Sequence, residues 1–367
     1  MLVVDDSALM RRLLSDLLQA SGKIEVVGTA KDGREAVFQA MKLKPDVITL
    51  DVEMPEVSGL EALPLLLSAQ EAPVIMVSAL TQAGADVTLQ ALELGAVDFM
   101  PKPERNQLAE MRAGSDVLIE KVLTAAGSRV RRIRRASGQD SAETGVLPPA
   151  TKPDSVRIAP PRIRTSAPTN VGCIVIGIST GGPQALSQVL PLVSPPMPPI
   201  LIVQHMPAQF TGAFAARLDR ACSLTVKEAE DGDFLSPNTV YVAPGGRHMA
   251  LAGLPARPRI VLSDELPVSG HKPSVDVLFQ SAARIFQASS VGVIMTGMGR
   301  DGVEGCKAIL GVGGFAIGQD EATSVVYGMN KAAFLEDALK AQFSLEELPD
   351  ILKNLDAYQE KILGRSG

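Results

Sequence analysis

The most constraining stretch of the chain is Val171-Gly172-Cys173-Ile174-Val175-Ile176-Gly177-Ile178-Ser179-Thr180-Gly181-Gly182-Pro183-Gln184. Cys173 to Ile176 is an unbroken apolar run, the pattern of a strand buried on both faces, and such strands belong to parallel sheets layered with helices. The run stops at Gly177, and Ala185, Leu186, Val189 and Leu190 then recur at helical spacing. Between them, Gly177-Ile178-Ser179-Thr180-Gly181 has the Gly-x-Ser-x-Gly spacing of a sharp turn that lifts a serine hydroxyl above a sheet. The first N–H groups of the following helix point at the same spot and favour a developing oxyanion. Alone, the pentapeptide reads better as a glycine-rich turn with a capping serine, or as a phosphate-binding turn. A dinucleotide fingerprint fits worse, because its second glycine falls on Ser179. The choice turns on whether the chain supplies a base and an acid.

It does, at two further strand ends. Pro199 to Val203 is a second apolar run and ends in Gln204-His205-Met206-Pro207. Val291 to Met295 is a third and ends in Thr296-Gly297-Met298-Gly299-Arg300-Asp301-Gly302. Ser179, His205 and Asp301 thus follow buried strands, where open α/β sheets place their chemistry. They have the composition of a nucleophile, a base and an orienting carboxylate. The order Ser–His–Asp differs from that of α/β-hydrolases and argues for another doubly wound fold. His248 and His271 compete for the base, and Asp276 and Asp320 for the acid. His271 precedes a helix capped by Ser274, and Asp276 falls in that helix's first turn, where a structural role is common.

The first hundred residues repeat the alternation. Strands are expected at Leu2–Val4, Ile24–Val27, Val47–Leu50, Val74–Val77 and Val97–Met100, with helical patterns between, which predicts a parallel sheet covered on both faces. The chain begins inside the first strand, which points to a misassigned or trimmed start. Asp5 and Asp6 follow strand one, Asp51 strand three, Ser78 strand four and Lys102 strand five. Three carboxylates at one edge repel each other unless a cation sits among them, and oxygen ligands on an open edge suit Mg²⁺. An aspartate facing such a site, beside a lysine and a hydroxyl, is built to accept a phosphoryl group. Asp51 attacks, Lys102 neutralises phosphoryl oxygens and Ser78 donates to one of them.

Val3-Val4-Asp5-Asp6-Ser7, Leu50-Asp51-Val52-Glu53-Met54-Pro55, Val77-Ser78-Ala79 and Pro101-Lys102-Pro103 resemble the receiver domain of two-component response regulators. The resemblance implies phosphorylation of Asp51 and Mg²⁺ held by Asp6, Asp51 and the Glu53 carbonyl, with Asp5 assisting through water. The Lys102–Pro103 bond is a candidate for the cis form, which proline makes less costly.

Gly177 to Pro183, Val203 to Pro207, His271-Lys272-Pro273-Ser274-Val275-Asp276, Met295 to Gly302 and Gln319 to Met329 resemble the chemotaxis protein-glutamate methylesterase family. Asn330 stands where that family often has proline, and Val57-Ser58-Gly59 replaces a more usual acidic ending. The expected architecture is α/β with two doubly wound parallel sheets: a flavodoxin-like receiver over 1–104, a helix and Pro/Arg-rich linker over 105–169, and an α/β methylesterase domain over 170–367. The resemblance implies a serine hydrolase, regulated by phosphorylation, that demethylates glutamate esters and deamidates glutamines of membrane chemoreceptors in chemotactic adaptation. Ser179, His205 and Asp301 are its expected catalytic residues, backbone N–H groups of Met298 and Thr180 support the oxyanion, and a chemotaxis histidine kinase donates the phosphoryl group. The esterase chemistry is expected to need no cofactor. In that family the unphosphorylated receiver covers the catalytic face.

Composition agrees. A chain of 367 residues suits about two domains. A net charge of −6 gives no case for nucleic-acid binding, and the arginine cluster Arg129, Arg131, Arg132, Arg134 and Arg135 lacks stacking aromatics, so it reads as a solvated linker run. No apolar run approaches a membrane span, so no direct membrane insertion is expected. Cys173, Cys222 and Cys306 form no Cys-x-x-Cys pair, which suits a reduced cytoplasmic protein, and with three histidines a zinc site is disfavoured.

Overall fold

The structure is a computed structural model that describes residues 1–69, 72–78, 81–102, 118–127 and 171–364. The linker arginines, the Lys102–Pro103 bond and most of 105–169 lie outside the described residues.

The first sheet is built from β1 (Leu2–Val4), β2 (Gly28–Ala30), β3 (Ile48–Asp51), β4 (Val74–Ser78) and β5 (Asp98–Pro101). All pair in parallel, in the order β2-β1-β3-β4-β5. Helices α1 (Ala8–Ala20), α2 (Gly33–Leu43), α3 (Gly59–Ala69) and α4 (Gln82–Leu94) connect the strands. The order reverses at β1 and β3, which brings Asp5, Asp6 and Asp51 to one crevice. The second strand differs from its expected place: Gly28–Ala30 carries the ladder rather than Ile24–Val27. The expected segment Ile24–Val27 still meets the sheet through its backbone, the Met1 ammonium donating to the Glu25 carbonyl (2.6 Å) and the Val27 N–H to the Met1 carbonyl (3.0 Å), while Ile24 and Val26 pack against the Leu14 and Leu18 side of the core.

Residues 118–126 are helical (α5). The second sheet has seven parallel strands: β6 (Cys173–Ile178), β7 (Ile200–Gln204), β8 (Thr225–Glu228), β9 (Thr239–Val242), β12 (Ser290–Ile294), β13 (Phe315–Gln319) and β14 (Ala341–Phe343). Their order is β14-β13-β12-β6-β7-β9-β8. β10 (His248–Leu254) and β11 (Arg257–Ser263) form a separate antiparallel hairpin that the apolar-run reading did not anticipate. Every residue of β6, β7, β12 and β13 is buried. Each large aliphatic there contributes about 1.5–3 kcal/mol by leaving water, so the centre of this sheet is a firm base for groups at its carboxyl edge. The flanking helices are α6 (Gly182–Val189), α7 (Ala208–Ala221), α8 (Val275–Phe286), α9 (Val303–Gly311), α10 (Met329–Leu335), α11 (Leu348–Lys353) and α12 (Leu355–Leu363).

The two halves touch. Helix α4 packs on α6 and α7, the Phe99 and Phe210 rings lie 4.4 Å apart, and Arg217 grips Glu93 through two guanidinium nitrogens. Among the described residues no helix is long and apolar enough to cross a membrane.

Candidate functional site

Ser179 stands one residue beyond β6 and His205 one residue beyond β7, and these strands are register neighbours through Ile178 and Gln204. The chain turns at Gly181, whose φ of 79° only glycine adopts freely, and α6 starts at once. The Ser179 N–H donates to the Thr296 carbonyl (2.9 Å), which fixes the nucleophile candidate against β12. A side chain at Gly297 would place its Cβ 2.7 Å from the Ser179 Cβ, so the close approach of these loops requires that glycine. Ser179 is half-buried.

His205 and Asp301 are in direct contact, Nε2 to Oδ2, at 2.9 Å. Asp301 is buried, and its carboxylate also accepts from the Ser274 hydroxyl (2.8 Å) and from the N–H groups of Val275 (2.7 Å) and Asp276 (3.1 Å). The expected Ser274 cap is therefore corrected. Ser274 makes no cap of its own; its hydroxyl turns to Asp301, and the Asp301 carboxylate caps α8. Burial pushes the Asp301 carboxyl up, but the His205 contact and these donors outweigh it and hold it below the usual range. Asp276 returns the favour to α9, accepting from Gly302 (3.0 Å) and Gly305 (2.7 Å) N–H groups. Burial holds its carboxyl above the usual range.

With Nε2 committed to the carboxylate, His205 carries its proton there and leaves Nδ1 as the lone-pair nitrogen. That Nδ1 is buried and has no hydrogen-bond partner. Ser179 and His205 are not hydrogen-bonded to each other through it. An unpaired buried acceptor is costly and is kept where chemistry uses it.

The competing residues have other partners. His248 spends both ring nitrogens on backbone, Nδ1 accepting from Ser274 N–H (3.2 Å) and Nε2 facing the Leu266 carbonyl (3.0 Å). Asp320 holds a turn, accepting from the N–H and hydroxyl of Thr323. Asn330 donates to the Gln319 carbonyl (2.8 Å) and Ser324 hydroxyl (2.7 Å), bonds that proline lacks. His271 lies flat on His205. Gln204 escaped the sequence reading: its amide donates to the carbonyls of both Ser179 (3.0 Å) and His205 (3.2 Å). The one signal was a polar residue closing an otherwise apolar strand.

At the first sheet, carboxylate oxygens of Asp5, Asp6 and Asp51 lie within 4.8 Å of one another. Lys102 Nζ is 2.6 Å from Asp51 Oδ2 and 3.0 Å from Asp5 Oδ2. Burial lifts the Asp51 carboxyl to about 6 against the pull of Lys102. Burial would lower the Lys102 ammonium, but Asp51 and Asp5 hold it above its usual value. Ser78 is buried at the end of β4 with its hydroxyl on the Gly84 carbonyl at 3.5 Å, and Glu53 N–H donates to Asp51 Oδ1 at 3.3 Å. Asp5 Oδ2 is buried with the Lys102 ammonium beside it, and this cluster of oxygen donors fits a small divalent cation.

The receiver half and α5 reach the second site directly. The Thr180 hydroxyl donates to Asp98 at 2.6 Å, Lys121 on α5 binds Asp98 and the Phe99 carbonyl at 2.9 Å each, and the Thr124 hydroxyl lies 2.9 Å from Met298 Sδ.

Comparison with known proteins agrees with both halves. Residues 1–112 match the response regulator receiver domain and residues 174–352 the CheB methylesterase domain. A protein-glutamate methylesterase/protein-glutamine glutaminase of Koribacter versatilis is 42% identical over 98% of this chain and 96% of its own length. One from Caulobacter vibrioides is 46% identical over 96% of this chain and 97% of its own. The catalytic domain of Thermotoga maritima CheB methylesterase aligns over 50% of this chain and 97% of its own, with 38% identity and a TM-score of 0.49. With two-domain relatives matched over nearly their whole length, this chain belongs to the CheB family of response-regulator methylesterases.

Proposed function

We propose that this protein is a serine hydrolase that removes methyl groups from glutamate esters on membrane chemoreceptors, and deamidates glutamines there, under control of its receiver half. The observation that carries the reading is the His205–Asp301 contact, which leaves a buried, unpartnered Nδ1 on the ring next to the strand end that bears Ser179.

Ser179 Oγ attacks the side-chain ester carbonyl and its proton passes to His205 Nδ1. Asp301 keeps the Nε2–H and stabilises the imidazolium. Backbone N–H groups of Met298 and Thr180 receive the oxyanion. On collapse the C–O bond to methoxide breaks, Nδ1–H protonates it, and methanol leaves. Water, deprotonated by Nδ1, then cleaves the acyl-enzyme to glutamate and free Ser179. A primary amide follows the same path with ammonia as the leaving group.

On the receiver side Asp51 is the phosphoacceptor, with a histidine kinase as donor, and Ser78 and Lys102 contact the phosphoryl oxygens. Asp6, Asp51 and the Glu53 carbonyl, with Asp5 behind, would hold Mg²⁺. The bound ion supplies charge neutralisation for the incoming phosphoryl group. Phosphorylation withdraws the receiver from Thr180 and Met298, a shift between two packed states of different contacts.

A serine-directed phosphonate tests the assignment. The reading expects a single label on Ser179, accelerated by a small phosphodonor and lost in His205→Ala. A phosphonate that labels elsewhere, or ignores the chain, removes the hydrolytic account.

A further inference from the structure

His271 is left without a role by the reaction above, yet it is placed with care. Its ring is stacked on His205 with centroids 3.8 Å apart and planes 5° from parallel. The segment that presents it is a closed turn: Val268 and His271 exchange both backbone hydrogen bonds, at 3.1 and 2.9 Å. The central residues Ser269 and Gly270 have φ of 53° and 80°, the two positive values of a type I′ turn. Serine in that region is strained, and such strain collects where a side chain must be aimed. Lys272 ties the far side, its carbonyl accepting from Gly246 N–H at 3.1 Å. Three residues on, Ser274, Val275 and Asp276 donate to Asp301. One short segment therefore supplies both the face against which His205 lies and the anchor of its carboxylate. The two rings form a wall of a cavity of roughly 430 Å³ with Met206, Pro207 and Gly246.

We propose that His271 is a positioning residue for the esterase reaction: its flat ring, together with Asp301, fixes the plane of the His205 imidazole that takes the Ser179 proton. A hydrogen bond to Asp301 alone leaves the ring free to rock about the Nε2 contact. A second ring at van der Waals distance stops that motion and keeps water off one face of the base. The charged groups whose fields act on His271 are His205, Asp301 and Lys121, the last from α5. Burial, then the charges of His205 and Lys121, push the His271 ring down to about 4 against the pull of Asp301. It is neutral whenever His205 is protonated in the reaction, so the imidazolium meets the π face of a neutral ring, a favourable contact, rather than a second cation.

The proposal rests on Ser179 and His205 acting as assigned above, and the test separates the two. Methanol release by the full-length chain with a phosphodonor is measured for wild type, Ser179→Ala, His271→Phe, His271→Ala and His271→Asn. Ser179→Ala reports on the reaction itself: turnover there removes the assignment whatever His271 does. With Ser179→Ala silent, His271→Ala is expected to lose kcat by about tenfold or more with KM within about twofold. His271→Phe, which restores a flat ring, returns kcat to within about threefold, with the pH profile unchanged in shape from wild type. Should His271→Ala not fold, His271→Asn carries the same expectation of loss. Wild-type kcat in the Ala or Asn variant overturns the proposal. So does an equal loss in His271→Phe, which would mean that something other than the stacked plane matters.

Discussion

The hydroxyl of Thr180, next in sequence to Ser179, donates a 2.6 Å hydrogen bond to Asp98, which belongs to the other sheet. The bond is buried, and Asp98 is also paired with Lys121 at 2.9 Å. The receiver half thus holds a residue beside the nucleophile candidate. A charged acceptor in a buried hydrogen bond is stronger than a neutral one.

Asp98→Ala should therefore favour the uncovered state. A hydrogen bond to a charged group contributes roughly 1.5–3 kcal/mol, so basal esterase activity without phosphodonor should rise about 10- to 150-fold where covering limits it. The phosphorylated rate should change little. Unchanged basal activity in a folded Asp98→Ala protein would mean that this bond does not restrain the site.

Glu93 and Arg217 join α4 to α7 near the surface, each side chain about a third exposed at 34% and 31%. Exposed pairs are worth about 0–1 kcal/mol, so Glu93→Ala or Arg217→Ala should raise basal activity by no more than about fivefold. The charge-reversed pair Glu93→Arg with Arg217→Glu should return toward wild type. A double-mutant cycle on basal turnover checks this; full additivity of the two alanine effects would show no coupling.

Asp51 gives a pH signature. Its carboxyl titrates near 6 when folded, against a usual value of 3.8. Between those values the folded protein keeps a proton that the unfolded chain has released, so this group's contribution makes stability fall as pH rises through the window. The effect amounts to roughly 1–3 kcal/mol. Without divalent cations, wild type should lose that much relative to Asp51→Asn between about pH 4 and pH 6.5 in urea unfolding. A difference that does not vary with pH would place the Asp51 carboxyl at an ordinary value.

Asp301→Asn tests the tautomer. The amide offers an N–H to the nitrogen that now donates, which drives the His205 proton to Nδ1 and removes the lone pair. The kcat should fall about a thousand- to ten-thousand-fold, while the amide oxygen keeps the Ser274 and Asp276 donors and only the Val275 N–H loses its acceptor. A loss below about tenfold would mean that Nδ1 is not the base.

Much of this arrangement was legible in the chain, for one reason: buried parallel strands are continuous apolar runs, and the polar residue that ends each run stands at the sheet edge. That rule located β1, β3, β4, β6, β7 and β12, and with them Asp5, Asp51, Ser78, Ser179 and His205. It failed where strands lie at a sheet margin or are half exposed. Ile24 to Val27 reads as a strand, and Glu25 and Val27 do bond to Met1, but the assigned β2 ladder begins only at Gly28. The β10–β11 hairpin alternates buried and exposed residues, so no continuous run announced it. Roles set by distant partners were not readable. Ser274 has the sequence of a cap, but its hydroxyl goes to Asp301, 27 residues away. Thr180 and Asp98 meet across 82 residues, and nothing local to either names the other.

The measurement that bears most directly on the account is methanol release from methylated receptor membranes by the full-length protein, with and without a small phosphodonor, for wild type and Ser179→Ala. The account predicts release by wild type, a clear rise with phosphodonor, and none from a folded Ser179→Ala protein. Release by Ser179→Ala at the wild-type rate would contradict it.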